Sequence, residues 1–162
     1  MNMVYFFSGK MGAGKTTYAK KLAKDKNALY LSEDDWLSAL YPDEINNFND
    51  YISYSLRLKP MIKDHIIKLL NLGVSIVMDF PGNTVKQRKW LLSIANDANV
   101  DHELLYLKAS DETCLKHLEK RRKELKNRNQ FDTKEVFKAV TKYFEEPKQT
   151  EGLKIVVISR QL

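Results

Sequence analysis

A chain of 162 residues is long enough for one α/β domain with a substantial core, and too short for two ordinary domains. Its 43% hydrophobic and 30% charged residues, with no apolar run near the roughly 20 residues that cross a bilayer, exclude a disordered chain and a helical membrane span. The 27 basic and 21 acidic residues leave a net charge of +6, which suits nucleotides or nucleic acid. The single cysteine, Cys114, allows no internal disulfide, and the absence of an export signal leads us to expect the cytoplasm.

In chain order, Met3 to Phe7 is a short apolar run that reads as a buried strand. It leads into Gly9-Lys10-Met11-Gly12-Ala13-Gly14-Lys15-Thr16, which fills every fixed position of the phosphate-binding pattern GxxxxGK[ST] and opens a helix over 15–25. The glycines let the backbone wrap closely around phosphate, so that N–H groups from Met11 to Thr17 converge on it together with the positive end of the helix. In this pattern Lys15 reaches the β- and γ-phosphates and the Thr16 hydroxyl ligates Mg²⁺. The nucleotide site is therefore expected at residues 9–17, Thr17 included.

A second strand over 28–31 ends in Ser32-Glu33-Asp34-Asp35-Trp36, which puts carboxylates at the edge of the sheet where ligands bind. A kinase acting on a hydroxyl needs such a carboxylate to take the proton. Asp35 is the first candidate and Asp34 the second, while helix capping by Ser32 or Asp34 explains the same residues without catalysis. A helix over 35–41 follows, then a loop at 42–50 rich in Asn and Asp. A long helix over 51–72 comes next; Pro60 is expected to kink or split it, and Gly73 to stop it.

The third strand, over 74–78, ends in Asp79, a candidate to hold Mg²⁺ or its water beside Thr16. Thr84 and Gln87 form a capping-box pattern for a helix over 85–97, and Asp132 with Glu135 repeats it loosely before a helix over 134–145. Between them lie a strand at 104–107 and a helix at 111–127. The last strand covers 153–158. Much of the positive charge falls between Lys116 and Arg128; Arg121, Arg122 and Arg128 are the candidates for catalytic arginines in a lid over about 116–132. His65, His102 and His117 have no partner at metal-ligand spacing and read as surface or packing residues, Cys114 as core. Trp36 and Tyr41 flank the acceptor region, where stacking on a substrate ring competes with simple core packing.

Alternating strands and helices call for a parallel sheet covered on both faces. The loop at 9–16, the stretch Asp35 to Pro42 and the tail from Arg121 through Val157 resemble P-loop kinases of the AAA_33 or zeta-toxin-like group, which includes chloramphenicol phosphotransferase. That resemblance implies a three-layer, nucleotide-kinase-like P-loop NTPase, one domain over 1–162, with five parallel strands in the order 2-3-1-4-5. It also implies Asp35 rather than Asp34 as general base. The activity expected is ATP- and Mg²⁺-dependent transfer of a γ-phosphoryl group to a hydroxyl of a small molecule. A 5′-hydroxyl polynucleotide kinase and a regulatory ATPase without kinase activity are the rivals. The missing Asn-Lys-x-Asp motif speaks against a GTPase.

Overall fold

The computed structural model describes residues 2–125 and 131–160. Its sheet has five strands: β1 (Met3–Ser8), β2 (Leu29–Ser32), β3 (Ile76–Asp79), β4 (Asp101–Ala109) and β5 (Ile155–Arg160). All pair in parallel, in the spatial order β2-β3-β1-β4-β5. The helices are α1 (Lys15–Asp25), α2 (Glu33–Leu40), α3 (Phe48–Asn71), α4 (Val85–Ala98), α5 (Asp111–Glu124) and α6 (Lys134–Thr141).

The period of two in β1 explains the three layers. Val4 and Phe6 point into one core with Leu37 of α2, Leu58, Ile62 and Ile66 of α3, and Leu91 and Ile94 of α4. Tyr5 and Phe7 point into the other, with Ala19 and Ala23 of α1, Cys114 and Leu118 of α5, and Phe137 of α6. Strands buried on both faces read as continuous apolar runs, which is the pattern of this sequence. Because the crossovers return each chain segment to the same end, the ends of β1, β2 and β3 all open onto one edge.

Several boundaries differ from the sequence reading for identifiable reasons. Helix α3 runs unbroken through Pro60; the proline is exposed, while Ser55, Leu58, Ile62, Ile66 and Leu70 anchor the other face. Gly73 follows α3 with φ 89°, and the Thr84–Gln87 capping box is complete. Asp132, however, does not cap α6. The cap is Thr133, whose side chain accepts from the Val136 N–H, and α6 ends at Thr141 rather than 145.

Candidate active site

The phosphate loop joins β1 to α1 and is gripped from three directions. The Gly9 N–H donates to Asn83 Oδ1 at 2.9 Å, and Ala13 N–H closes a turn onto the Lys10 carbonyl at 3.0 Å. From the opposite side His117 Nδ1 lies 2.7 Å from the Gly12 carbonyl; since a carbonyl only accepts, this nitrogen carries the proton. Gly12 has φ 82°, and a Cβ there would fall 2.6 Å from the Cys114 carbonyl oxygen, so α5 packs directly on the loop backbone.

Behind the loop lies a second support. A Cβ on Gly82 would sit 2.1 Å from the carbonyl oxygen of Phe7 in β1, so the segment after β3 touches the strand that feeds the phosphate loop. Arg88, fully buried, fixes that segment by donating to the Gly82 carbonyl at 3.0 Å while its Nε and Nη2 hold Glu151 at 2.7 and 3.1 Å. The arginine's charge holds the Glu151 carboxyl below the usual carboxylate range, against the opposing effect of burial, which is the largest single influence.

At the strand ends the predicted metal pair is together. The Thr16 hydroxyl donates to Asp79 Oδ2 at 2.8 Å, and the Tyr30 hydroxyl donates to the same oxygen at 2.7 Å. Oxygen donors with one carboxylate fit a small hard cation such as Mg²⁺, which draws its remaining ligands from water and substrate phosphates. Among the described residues there is no cluster of three His, Cys, Asp or Glu that would form a self-sufficient metal cage. Lys15 is partly buried, and burial lowers its pKa from the ordinary lysine value against the opposing pull of the Asp79 and Asp34 carboxylates.

The two candidate bases separate on the first turn of α2. Asp35 takes the Ser32 cap through its backbone N–H, and its charge reaches Tyr30. Of the two, Asp34 is the residue whose charge reaches Lys15 and the Tyr51 hydroxyl. Both side chains belong to exposed residues at the sheet edge, and Trp36 beside them is 38% exposed. Tyr41 packs against Tyr54 with ring centroids 4.3 Å apart.

The expected lid arginines meet different fates. Arg121 forms a two-pronged pair with buried Asp132, through Nε at 2.5 Å and Nη2 at 2.7 Å, so its fork is already filled by a carboxylate. Its positive charge still reaches Lys15. Arg122 lines a cleft of about 220 Å³ with Leu118, Asp132 and Lys134, and its buried Nε has no partner among the described residues. Arg128 lies outside the described residues. Lys10, expected at the phosphates, pairs with Asp111 at 2.8 Å. Met11, beside it, packs into the core shared by β1 and α5. Asn83, His117 and Tyr51 were not singled out from the sequence as site residues; each acts through a contact more than 15 positions away, which leaves no local pattern.

This strand order, with a phosphate loop after β1 and a carboxylate at the end of β3, defines a P-loop NTPase fold of the nucleotide-kinase kind. Residues 4–147 match the AAA_33 family, described as an AAA domain, and the chain belongs to that family. A protein of Picrophilus torridus named "Probable thymidylate kinase" is 26% identical over 163 residues, covering 89% of this chain and 80% of its own. Two solved structures share the fold. A sugar kinase from Janibacter sp. HTCC2649 has a TM-score of 0.64 at 15% identity, covering 98% of this chain and 85% of that one. The APS kinase CysC of Mycobacterium tuberculosis, in complex with AMPPNP and APS, has a TM-score of 0.60 at 18% identity, covering 98% and 88%. No described helix is long and apolar enough to cross a membrane.

Proposed function

We propose that the protein is a kinase that transfers the γ-phosphoryl group of ATP to a hydroxyl of a small molecule. The observation that carries this reading is the pair of acidic residues, Asp34 and Asp35, on the same sheet edge as the phosphate loop, with the charge of Asp34 felt at Lys15. A carboxylate there serves an acceptor that must lose a proton and disfavours one that arrives as a dianion. That preference weighs against a phosphate acceptor, the class implied by the name of the Picrophilus relative for that protein.

Each step falls to a residue of this chain. The backbone N–H groups of residues 11–17 and the Lys15 ammonium hold the triphosphate and spread its charge. Thr16 and Asp79 would hold Mg²⁺, which when bound neutralises charge on the β- and γ-phosphates. Asp34 accepts the proton from the acceptor hydroxyl and aims the oxygen in line with the γ-phosphorus, and Asp35, one position further on the turn, is the alternative base. Arg122, whose Nε has no partner among the described residues, supplies positive charge from the lid side, while Arg121 keeps Asp132.

Incubation with γ-labelled ATP and a metabolite extract tests the reading, with Lys15→Ala, Asp34→Ala and Asp35→Ala run beside the native protein. Label should pass to a neutral or singly charged alcohol; Lys15→Ala should weaken ATP binding, and Asp34→Ala should keep ATP binding and lose transfer. Label released only as inorganic phosphate, or full transfer by both aspartate variants, would overturn it. If the labelled product is an oligonucleotide, and its binding weakens steeply with salt, the polynucleotide kinase reading replaces it.

A further inference from the structure

Two hydroxyl protons, not one, go to the acid at the end of β3. Thr16 donates to Asp79 Oδ2 at 2.8 Å and Tyr30 to the same oxygen at 2.7 Å. Thr16 belongs to the phosphate loop, but Tyr30 belongs to β2 and the mechanism above gives it no task. The strand register explains its reach. Tyr30 lies opposite Val77 and Ser32 opposite Asp79, so the tyrosine starts two residues short of the acid on the same face of the sheet, a gap of about 6–7 Å along the strand. Only a long side chain closes it.

Packing alone does not call for the hydroxyl. The Tyr30 ring rests against the core shared by β1, α1 and α5, with the Lys20 ammonium 5.8 Å from its centroid, and a phenylalanine would fill the same space. Because Tyr30 is half-buried, water can serve its oxygen, and burial does not force the phenol onto a carboxylate. The effect on Asp79 is specific. A carboxylate oxygen has two lone-pair sites, and the two hydroxyls fill both sites of Oδ2. Oδ1 alone is left for a cation or its water. A hydroxyl that donates its proton keeps lone pairs of its own, so the Thr16 bond is compatible with Thr16 as a metal ligand. Mg²⁺ demands a near-ideal octahedron, whereas Ca²⁺ takes six to eight oxygens and accepts both oxygens of one carboxylate.

We propose that Tyr30 is a positioning residue for Asp79 that sets the preference of this site for Mg²⁺ over Ca²⁺: its hydroxyl, together with that of Thr16, occupies Oδ2 and leaves the carboxylate a single oxygen to offer. This rests on the reading of Thr16 and Asp79 as the pair that holds the cation. It adds what limits the cation they accept.

Binding of the non-hydrolysable nucleotide AMPPNP to the full chain tests this without any acceptor. Affinity is measured by calorimetry in EDTA, in saturating Mg²⁺ and in saturating Ca²⁺, and the gain over EDTA reads the cation through the protein. The native protein should bind the Mg²⁺ complex more tightly than the Ca²⁺ complex. Tyr30→Phe removes one oxygen and keeps the ring; it should leave the metal-free affinity unchanged, weaken the Mg²⁺ complex by about 10-fold and weaken the Ca²⁺ complex less. A general loss of structure would instead lower all three affinities together. A Mg²⁺-to-Ca²⁺ ratio unchanged in folded Tyr30→Phe overturns the proposal and leaves the cation pair standing. Should that variant fail to fold, equal affinity of the native protein for the two complexes overturns it. If neither cation strengthens AMPPNP binding to the native protein, the Thr16–Asp79 site and this inference fall together. The expected shifts in a protein that transfers no phosphoryl group would keep the inference and remove the kinase reading, so the two fail separately.

Discussion

Gly9, Gly12 and the strand leading to them are gripped through their backbone, by Asn83, by His117 and by the segment that Arg88 secures, whereas Asp34 and Asp35 hang from one turn of helix beside exposed Trp36 and Leu40. The donor rim is thus rigid and almost independent of side-chain identity beyond its glycines and Lys15. The proposed acceptor rim depends on side chains from α2 and α3, and the first turns of α3 leave Phe48, Ile52 and Leu56 exposed. A shared nucleotide can be served by a fixed backbone; the choice of acceptor is left to surfaces whose change does not disturb the core.

The comparison breaks most readily at Arg88. Replacing it by alanine leaves the partly buried Glu151 without its arginine and frees the Gly82 segment under the phosphate loop. We expect a loss of about 3–5 kcal/mol, read from urea denaturation. If stability fell by less than 1 kcal/mol, the donor rim would not be the rigid one. Next is Lys15→Ala, which should leave the denaturation midpoint nearly unchanged and weaken ATP by about 10- to 100-fold in calorimetric titration, the range expected for hydrogen bonds to charged groups.

Acid provides a smaller test with opposite signs on the two rims. Glu151, whose folded pKa is lowered, contributes stability that is present above its unfolded pKa and is lost as pH falls through the folded value. Glu33, whose folded pKa burial raises, behaves in reverse: its contribution is present below the unfolded pKa and lost as pH rises through the folded one. Consequently Glu151→Gln should cost most stability at neutral pH and progressively less in acid, while Glu33→Gln should remove a penalty that grows from acid toward neutrality. Denaturation midpoints measured between pH 3 and 7, on the order of 1 kcal/mol apart, check both. The smallest effect belongs to Trp36→Ala, expected within about 0.5 kcal/mol of the native stability, because its ring is partly exposed at the acceptor rim. A larger change would make it a core residue and would narrow the contrast.

The donor rim was largely legible in the sequence because its chemistry is local. The glycines, Lys15 and Thr16 occur within eight consecutive residues, and Asp79 is marked by the apolar run before it. Strand order followed from resemblance, and the Thr84–Gln87 box from spacing alone. What could not be read were contacts between distant segments. Arg121 and Asp132 are eleven positions apart with no rule that pairs them, so an arginine expected at phosphate is held by a carboxylate. Asp132 also imitated a helix cap because the true cap, Thr133, is its neighbour and belongs to the same residue class. That the charge of Asp34 and not that of Asp35 reaches Lys15 was equally hidden, since 100° of helix rotation per residue separates the two acids.

Pro60, which leaves α3 continuous, has a consequence in time. Lacking an N–H, it gives the Leu56 carbonyl no donor one turn back, so the ladder of α3 misses a rung between the half that carries Tyr51 and Ser55 and the half anchored by Ile62, Ile66 and Leu70. The lower half can open only with the core, but the upper half has a break at which to fray. Amide protons of residues 51–59 should therefore exchange with solvent faster than those of 62–70, and the wall of the acceptor rim would breathe on a clock separate from that of the sheet beneath it.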